Sequence, residues 1–341
     1  MLVSFIVVAL NAGDKLNSLI EDIKKQDYDH GNIEVIFVDG NSTDNTKEVM
    51  TCLQNSSHDF NRVCVLDNPK KTLPCGWNIA LKESKGDIIL RVDAHSSIPT
   101  NFIKNNVECL KTGEKIVGGH RISIIDEKSS WQKTLLIAET SLFGSGIASY
   151  RRTKEKNYVS TLAHAAYSIE VFQKVGGYDE RLARTEDNEI HYRMKVAGYK
   201  FLLNPKIQSF HHARNTFSKM LKQKFLNGYW IGLTLGISPK CFSTYHFVPL
   251  LFVLAIIFGI GLGLYGITLP ITVLASIYFS FNILNTAAST LGKKFEVSYL
   301  LLPFLFLLLH VYYGIGTLWG IIKLPLWKEK SVKFEPPNII R

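Results

Sequence analysis

The sequence predicts an α/β protein with a mostly parallel, doubly wound sheet, followed by helices that cross a membrane. Apolar runs alternate with helical patterns over about the first 95 residues, which is typical of such a sheet. Two long stretches in the last third contain no Asp, Glu, Lys or Arg, as membrane spans do. The chain is therefore expected to combine a water-soluble part with a membrane part.

The first strand is expected at Leu2–Leu10, and a helical pattern begins near Leu16. Met1–Leu10 is too short to span a membrane and lacks the basic start of a signal peptide, so a strand is the better interpretation. The next buried strand is expected at Ile33–Val38. The turn-forming residues Asp39–Asp44 follow it and can start another helix.

A third strand is expected at Arg62–Leu66, and a helix from about Pro74, because proline suits the first helical turn. Gly86 then opens an apolar run that ends at the polar residues Asp93 and His95, the pattern of a fully buried parallel strand. Ligands of open α/β sheets bind beyond the carboxyl ends of the strands. We therefore expect Asp93 and His95 at a binding site.

The chemistry of this pair points to a cation. Asp93 and His95 supply a hard oxygen and an imidazole, which together suit Mn²⁺ or Mg²⁺. A helix cap at Asp93 is the alternative that these residues alone leave open. The glycine fingerprint of dinucleotide-binding folds is missing after the first strand, where Val8-Ala-Leu-Asn-Ala-Gly-Asp14 stands, so a dehydrogenase is disfavoured.

The net charge and the cysteine content indicate which kinds of partner the protein binds and which redox compartment it occupies. The formal net charge is +10, and the segment after His246 carries seven Lys and Arg against three acidic residues. A modest positive charge beside a membrane indicates attraction to anionic lipid, and no nucleic-acid-binding motif is present. The five cysteines are odd in number and unclustered, which indicates a reducing compartment and no zinc site.

The membrane part is expected to hold two or three spans. Cys241–Gly292 is an uncharged run long enough for two helices of roughly 20 residues. Val297–Ile322 is either a third span or a re-entrant hairpin bent near Pro303 or His310. Lys293 and the adjacent lysine favour the cytosolic side for the loop between these runs. Because the spans contain almost no ionisable groups, a transporter is disfavoured.

A basic amphipathic pattern precedes the spans. Thr216–Trp230 places Phe217, Leu221 and Phe225 on one face, with lysines beside it, which is typical of a helix lying in the membrane interface. A helix packed on the soluble part is the alternative.

Six motifs follow one another in a characteristic order and spacing: Val8–Asn11, Val38–Asp44, Asp67–Pro69, Gly86–His95, Gly176–Asp179 and Thr185–Asp187. In these motifs the chain resembles the family 2 glycosyltransferases over about residues 3–235. Within that family it is most similar to the membrane-attached bacterial branch of the succinoglycan-type exopolysaccharide transferases. The resemblance implies the GT-A fold of nucleotide-diphospho-sugar transferases, with C-terminal transmembrane helices.

The resemblance also implies a domain plan. Residues 1–235 would form the catalytic domain, residues 242–322 the transmembrane region and residues 323–341 a basic tail. Within the catalytic domain, the nucleotide-binding half would cover about 1–95, the acceptor half about 96–215 and the interfacial helix about 216–235.

The same resemblance assigns the nucleotide site. It implies that Asp39 meets the nucleoside of a UDP-sugar, and a carboxylate at a strand end can accept hydrogen bonds from a uracil N–H or ribose hydroxyls. Val8 and Asn11 stand in the motif that ends the first strand and belong to this site by resemblance. Lys71 is expected near the donor phosphates, although Lys70 competes for that role.

For the metal, the resemblance implies ligation by Asp93, with His95 in place of the family's usual second carboxylate. His211 is the expected third ligand, with His212 as a neighbour that could replace it and a surface histidine as the alternative. The cation, Mn²⁺ or Mg²⁺, would neutralise the donor diphosphate.

Asp187 resembles the family's general base and is expected at the start of a helix that runs to about Val196. Inverting transfer needs one base to take the proton of the acceptor hydroxyl. Glu186 could cap that helix or hold the acceptor, and Glu189 with Arg193 could form a surface pair.

Two further segments bear on the reaction. The Gln-x-x-Arg-Trp motif of processive synthases is missing after Gln223, so transfer of one sugar per encounter is expected. Leu142–Tyr158 is rich in glycine, serine and arginine, including Gly144, Gly146, Arg151 and Arg152. It is either an ordinary surface loop or a loop that closes over the donor.

The expected function is metal-dependent, inverting transfer of a sugar from a UDP-linked donor to a polyprenyl-diphosphate-linked oligosaccharide, for capsule or exopolysaccharide. The enzyme is expected in the bacterial cell membrane as a multi-pass protein, with its catalytic domain in the cytosol. Transfer to polyprenyl phosphate itself is the nearest alternative. A catalytically silent membrane scaffold is the alternative from another class.

Overall fold

The computed structural model describes residues 1–126, 128–144, 155–212, 216–330 and 337. The chain forms two compact units. The first comprises residues 1–124, 149–212 and 333–341, and the second comprises residues 125–148 and 213–332.

The first unit is built from strands and helices that alternate along the chain. Its strands are β1 (Val3–Ala9), β2 (Ile33–Asp39), β3 (Arg62–Asp67), β4 (Ile88–Arg91), β5 (Ser96–Ser97), β6 (Ile116–Ile124), β7 (Asn157–Val159), β8 (Ala166–Ser168) and β9 (Phe201–His212). Its helices are α1 (Gly13–Lys24), α2 (Thr46–Ser56), α3 (Leu73–Glu83), α4 (Phe102–Lys111), α6 (Ile169–Val175) and α7 (Glu186–Val196).

These strands form one mixed sheet in the order β3-β2-β1-β4-β8-β6-β9-β5, and β7 pairs with β9. The four strands from β3 to β4 are parallel, whereas β8 runs antiparallel to both of its neighbours. The predicted α/β fold class is therefore confirmed, and all four predicted strands are present.

Both faces of the parallel half are covered, which explains its continuous apolar runs. Phe5 and its alternate neighbours pack in one core with residues of α1, α2 and α4. Val8 faces α3 on the other side. A Cβ atom added at Gly76 of α3 would lie 2.5 Å from Cγ1 of Val8, so glycine lets the helix approach β1 closely.

The second unit consists of helices: α5 (Ser130–Thr140), α8 (Phe217–Thr234), α9 (Val248–Gly263), α10 (Leu269–Thr290) and α11 (Leu302–Lys330). Among the described residues of this unit, three helical segments are long and apolar enough to cross a membrane: Thr244–Gly263, Leu269–Thr290 and Val297–Lys328. Because α11 is one continuous helix of 29 residues, the re-entrant hairpin considered for Val297–Ile322 is not formed. At 1.5 Å per residue α11 is about 43 Å long, more than the roughly 30 Å of a hydrocarbon core.

Helices α8 and α11 pack through glycines. A Cβ at Gly228 would lie 2.1 Å from the carbonyl oxygen of Tyr313, and one at Gly320 would lie 2.2 Å from the carbonyl oxygen of Tyr229. Small residues spaced four apart allow such close backbone approach between membrane helices. One face of α8 therefore contacts protein, and its placement in the membrane interface stays a prediction.

Candidate active site

The carboxyl ends of the parallel strands bring two aspartates to one edge of the sheet. Asp39 ends β2 and pairs with Ala9 of β1. Asp93 follows two residues after Arg91, whose Cα is in register with Ile6 of β1. Since β1 lies between β2 and β4, the two aspartates lie on either side of its carboxyl end.

Hydrogen bonds join the loops after β1 and β2. Asn11 has a left-handed backbone with φ of 50°, and its side-chain oxygen accepts from the backbone N–H of Thr43 at 2.8 Å. The buried carboxylate of Asp39 accepts from the backbone N–H of Ser42 at 3.2 Å. Asn11 therefore holds the loop in which Asp39 lies.

The two candidate lysines differ in their partners. Lys70 forms a 2.7 Å ion pair with Glu180, and its side chain remains mostly exposed. Lys71 is exposed in a left-handed turn with φ of 60°. A lysine already paired with a carboxylate must break that pair to bind phosphate, so the geometry favours Lys71 over Lys70.

The carboxylate of Asp93 lies beside a histidine and an arginine. Its Oδ2 lies 3.1 Å from Nε2 of His164 and 3.7 Å from Nη1 of Arg121. His164 is buried, has a φ of 47°, and makes a 2.8 Å hydrogen bond to the hydroxyl of Ser209. Burial alone would raise the pKa of the Asp93 carboxyl, but His164 and Arg91 lower it well below its ordinary value. Asp93 is therefore ionised.

Pairing of β5 with β9 brings two predicted metal ligands together. Ser96 is in register with His211, and the rings of His95 and His211 meet edge to face at 4.8 Å between centroids. Burial, then the charge of Arg121, lowers the pKa of His211 to about 3, so its ring is neutral. Its buried Nδ1 has no hydrogen-bond partner among the described residues.

These donors fit a divalent cation that is shared with a diphosphate. Within the described residues, no three His, Cys, Asp or Glu side chains form a complete metal site. However, Mg²⁺ in phosphate-binding sites is commonly held by one or two protein ligands plus the substrate phosphates. The orphaned Nδ1 of His211, next to His95 and within electrostatic range of Asp93, suits that arrangement. The three-ligand set stays a prediction, and the side chain of His212 lies outside the described residues.

A buried arginine, to which sequence reasoning assigned no role, binds the carboxylate of Asp187, the candidate base. Two nitrogens of Arg91 donate to the two carboxylate oxygens of Asp187 at 2.5 and 2.8 Å. The guanidinium lies 4.8 Å from the ring centroid of Trp77 and 5.7 Å from that of Tyr178. It also donates to the Tyr178 hydroxyl at 2.9 Å.

The carboxyl groups of Glu186 and Asp187 are electrostatically distinct. Burial raises the pKa of Asp187, but the charge and the hydrogen bonds of Arg91, together with His191, outweigh burial and lower the pKa below its ordinary value. Burial, reinforced by the charge of Asp187, raises the pKa of Glu186 to about 8. At neutral pH, Asp187 is therefore the carboxylate that can accept a proton, whereas Glu186 holds one.

Helix α7 is hydrogen-bonded to the turn at Gly176 and Gly177, which precedes it in the chain and is called the glycine turn below. Arg193 donates to the carbonyl oxygens of Val175 and Gly177 at 2.5 and 2.7 Å and pairs with Glu189. Because Glu189 is buried, the expectation of a surface pair was wrong. Asn78 of α3 accepts from the backbone N–H of Tyr178 at 2.7 Å. Together these bonds place Tyr178 against Arg91.

Sequence reasoning missed Arg91, Arg121, His164 and Tyr178. The available signal for Arg91 was a charge inside an otherwise apolar strand, since a buried charge needs a partner. His164 likewise interrupts an apolar segment. Of the glycine-rich loop Leu142–Tyr158, residues 145–154 lie outside the described part of the chain, including Gly146, Arg151 and Arg152.

The curled α/β sheet, with aspartates at the carboxyl ends of its strands, defines a protein of the GT-A class. A mannosyltransferase from Pyrobaculum calidifontis, solved with GDP-Man and Mn²⁺, shares this fold. It is 16% identical, with a TM-score of 0.55 over 96% of this chain and 87% of that one.

The chain belongs to glycosyl transferase family 2, whose model matches residues 4–176. It is accordingly a glycosyltransferase. The succinoglycan biosynthesis protein ExoA of Rhizobium meliloti is 29% identical, covering 70% of this chain and 76% of that protein.

Two further relatives are named for lipid-linked acceptors. A dolichyl N-acetyl-α-D-glucosaminyl phosphate 3-β-D-2,3-diacetamido-2,3-dideoxy-β-D-glucuronosyltransferase of Methanococcus voltae is 27% identical, covering 94% of this chain and 97% of that protein. A UDP-Glc:α-D-GlcNAc-diphosphoundecaprenol β-1,3-glucosyltransferase of Escherichia coli is 33% identical over 34% of this chain and 43% of that protein.

Proposed function

We propose that the protein is an inverting, metal-dependent glycosyltransferase. It moves a sugar from a UDP-linked donor to a polyprenyl-diphosphate-linked oligosaccharide during capsule or exopolysaccharide synthesis. The observation that carries this proposal is the convergence of Asp39, Asp93 and Asp187. Asp39 ends β2 and Asp93 follows β4, the strands on either side of β1, and the carboxylate of Asp187 is bound by Arg91, the last residue of β4.

The donor end of the site is formed by Asp39, Asp93 and the two neighbouring histidines. The Asp39 carboxylate can accept a uracil N–H or a ribose hydroxyl. Asp93, His95 and His211 would hold Mn²⁺ or Mg²⁺, which when bound supplies positive charge to the donor diphosphate. Exposed Lys71 is available to the phosphates.

The acceptor end depends on Asp187, which is ionised. Its carboxylate takes the proton of the acceptor hydroxyl while that oxygen forms a bond to the anomeric carbon. On the opposite face of the sugar the bond from the anomeric carbon to the diphosphate oxygen breaks, and the diphosphate leaves with its electron pair. Attack opposite the leaving group inverts the anomeric configuration.

The membrane helices support a lipid-linked acceptor. The three apolar segments would anchor the protein as a multi-pass protein of the cell membrane, with the catalytic domain in the cytosol where nucleotide sugars are made. The names of the Methanococcus and Escherichia relatives both specify a lipid carrier that already bears a sugar. This favours a glycosylated carrier over polyprenyl phosphate itself.

The test is release of nucleoside diphosphate by the full-length protein in lipid nanodiscs, with Mn²⁺, a lipid extract and a panel of UDP- and GDP-sugars. We expect release with a UDP-sugar, loss of release in EDTA, and a fall of at least about 100-fold in Asp187→Asn, the size typical of general-base catalysis. Asp126→Asn, an exposed aspartate in the second unit, is the control. Turnover by Asp187→Asn equal to that of the wild type would contradict the assignment of Asp187 as the base. If the wild type releases no nucleoside diphosphate with any donor, the proposed function is contradicted.

A further inference from the structure

Strand β4 connects the two ends of the proposed reaction. Arg91 is the last residue of β4, and Asp93 follows it two residues later in the chain. Asp93 belongs to the donor end, and Arg91 binds Asp187 at the acceptor end through two hydrogen bonds. The end of β4 therefore links Asp93, the proposed metal ligand, to Asp187, the proposed base.

The arginine is held rigidly. The Arg91 side chain is only 7% exposed, and its guanidinium contacts the rings of Trp77 and Tyr178. The Asp187 side chain is 38% exposed. The two carboxylate oxygens thus meet Arg91 from the buried side, while the group remains accessible to an acceptor from solvent.

A bidentate arginine fixes a carboxylate in both position and plane, which a lysine cannot do. We propose that Arg91 is a positioning residue for the transfer, holding the Asp187 carboxylate in one position and one plane through two hydrogen bonds. This inference rests on the proposed function, in which Asp187 is the base. Arg91 itself does not contact the substrate in this scheme.

Several charged and titratable groups face Asp187. Arg91 comes from β4, Tyr167 from β8, Tyr178 from the glycine turn, and Glu186 and His191 from α7, while Asp93 acts from beyond β4. Arg91 is the cation that lowers the pKa of Asp187 most, and Asp93 raises it. Without Arg91, the pKa of Asp187 must therefore rise, and ionisation of the base would require a higher pH.

The experiment measures kcat, the donor KM and the pH dependence of kcat for Arg91→Met, Arg91→Lys and the wild type. We expect Arg91→Met to lower kcat at least about tenfold, to change the donor KM less than about threefold, and to move the acid limb of kcat to higher pH. Arg91→Lys should restore the position of the acid limb in part, because it keeps the charge but not the paired hydrogen bonds.

The matched control is Arg62→Met. Arg62 also pairs with two carboxylates, Glu34 and Glu83, but at the amino end of the parallel strands. Its loss should reduce thermal stability and leave the acid limb in place, which is the behaviour of a merely structural arginine.

A double mutant distinguishes this inference from the proposed function. If Arg91 acts through Asp187, Arg91→Met adds little to the defect of Asp187→Asn. The role of Arg91 would be overturned if the acid limb of kcat in Arg91→Met stayed where it is in the wild type. It would also be overturned if Arg91→Met lowered kcat as much in the Asp187→Asn background as it does in the wild type. Neither result would contradict the proposed glycosyltransferase function. If Arg91→Met fails to fold, Arg91→Lys decides: wild-type kcat in that variant would equally overturn the inference.

Discussion

At the scale of single residues, Glu186 and Asp187 are consecutive, yet only Asp187 meets the guanidinium of Arg91. Glu186 is buried and Asp187 is partly buried, and loss of water by itself favours the protonated form of each carboxyl group. For Asp187, the charge and the hydrogen bonds of the Arg91 guanidinium act against this effect and favour the ionised form. Glu186 has one buried oxygen, Oε2, for which no hydrogen-bond partner exists among the described residues. The division into one ionised and one protonated group follows from these contacts.

Replacing Glu186 by Gln should change how stability depends on pH. The pKa of Glu186 is raised from 4.5 to about 8, so the folded protein retains a proton that the unfolded chain loses. The native state therefore loses stability as the pH rises between these values, and Gln, which has no proton to retain, avoids this loss. We expect Glu186→Gln to gain on the order of 3 to 4 kcal/mol relative to wild type from pH 5 to pH 8, since each pH unit between the two pKa values contributes about 1.4 kcal/mol.

Thermal unfolding at a series of pH values, in one detergent, measures this difference. Glu108→Gln, which removes an exposed carboxyl group from α4, serves as the control and should show no such trend. A stability difference that is the same at pH 5 and pH 8 would contradict the proposed burial of a protonated Glu186.

At the scale of elements, close approach between helices depends on glycine. In the second unit, α8 and α11 lie so near each other that Gly228 and Gly232 face the backbone of α11, and Gly316 and Gly320 face the backbone of α8. Backbone atoms cannot move aside as the end of a flexible side chain can. This contact should therefore be sensitive to a single methyl group.

Gly320→Ala should destabilise the helix pair. Its Cβ would lie 2.2 Å from the carbonyl oxygen of Tyr229, so α8 and α11 must separate, at a cost of about 1–3 kcal/mol. Gly261→Ala on α9 is the matched control, because no heavy atom lies within 4 Å of its added Cβ. Melting of the purified protein in detergent compares the two, and an equal melting temperature for both variants would contradict this packing.

At the scale of the whole molecule, the chain contains an α/β unit and a unit whose described residues include three apolar helical segments. If all three segments cross the bilayer, the loop near Tyr265 and the loop near Lys293 lie on opposite sides. In the proposed orientation, which the positive-inside rule favours for the Lys293 loop, that loop lies in the cytosol together with the catalytic part.

Cysteine labelling should reveal this arrangement. In a chain whose five native cysteines are replaced by serine or alanine, Tyr265→Cys should react with a membrane-impermeant maleimide in intact cells. Lys293→Cys should react only after the membrane is opened. Labelling of Lys293→Cys in intact cells, with Tyr265→Cys protected, would reverse the proposed orientation.

Local sequence determined the parallel half of the sheet and the positions of the membrane helices. Both faces of these strands are covered, so the residues on each face, such as Phe5 on one and Val8 on the other, are apolar. Together they form a continuous apolar run that is visible in the sequence. Charge-free segments are equally visible, because lipid excludes charge at every position. Asp39 and Asp93 could be placed at one edge because parallel strands end together.

Tertiary structure alone decided the contacts that define the site. His95 reaches His211 through β5 and β9, and Arg91 reaches Asp187 across 96 residues of chain. No local pattern encodes such pairs, because they depend on the order of strands in the sheet and on which helix covers each face. The sequence by itself thus determined the fold class and a set of acidic candidates. Only the folded chain decided which carboxyl group meets a cation, and this contact determines which group is ionised.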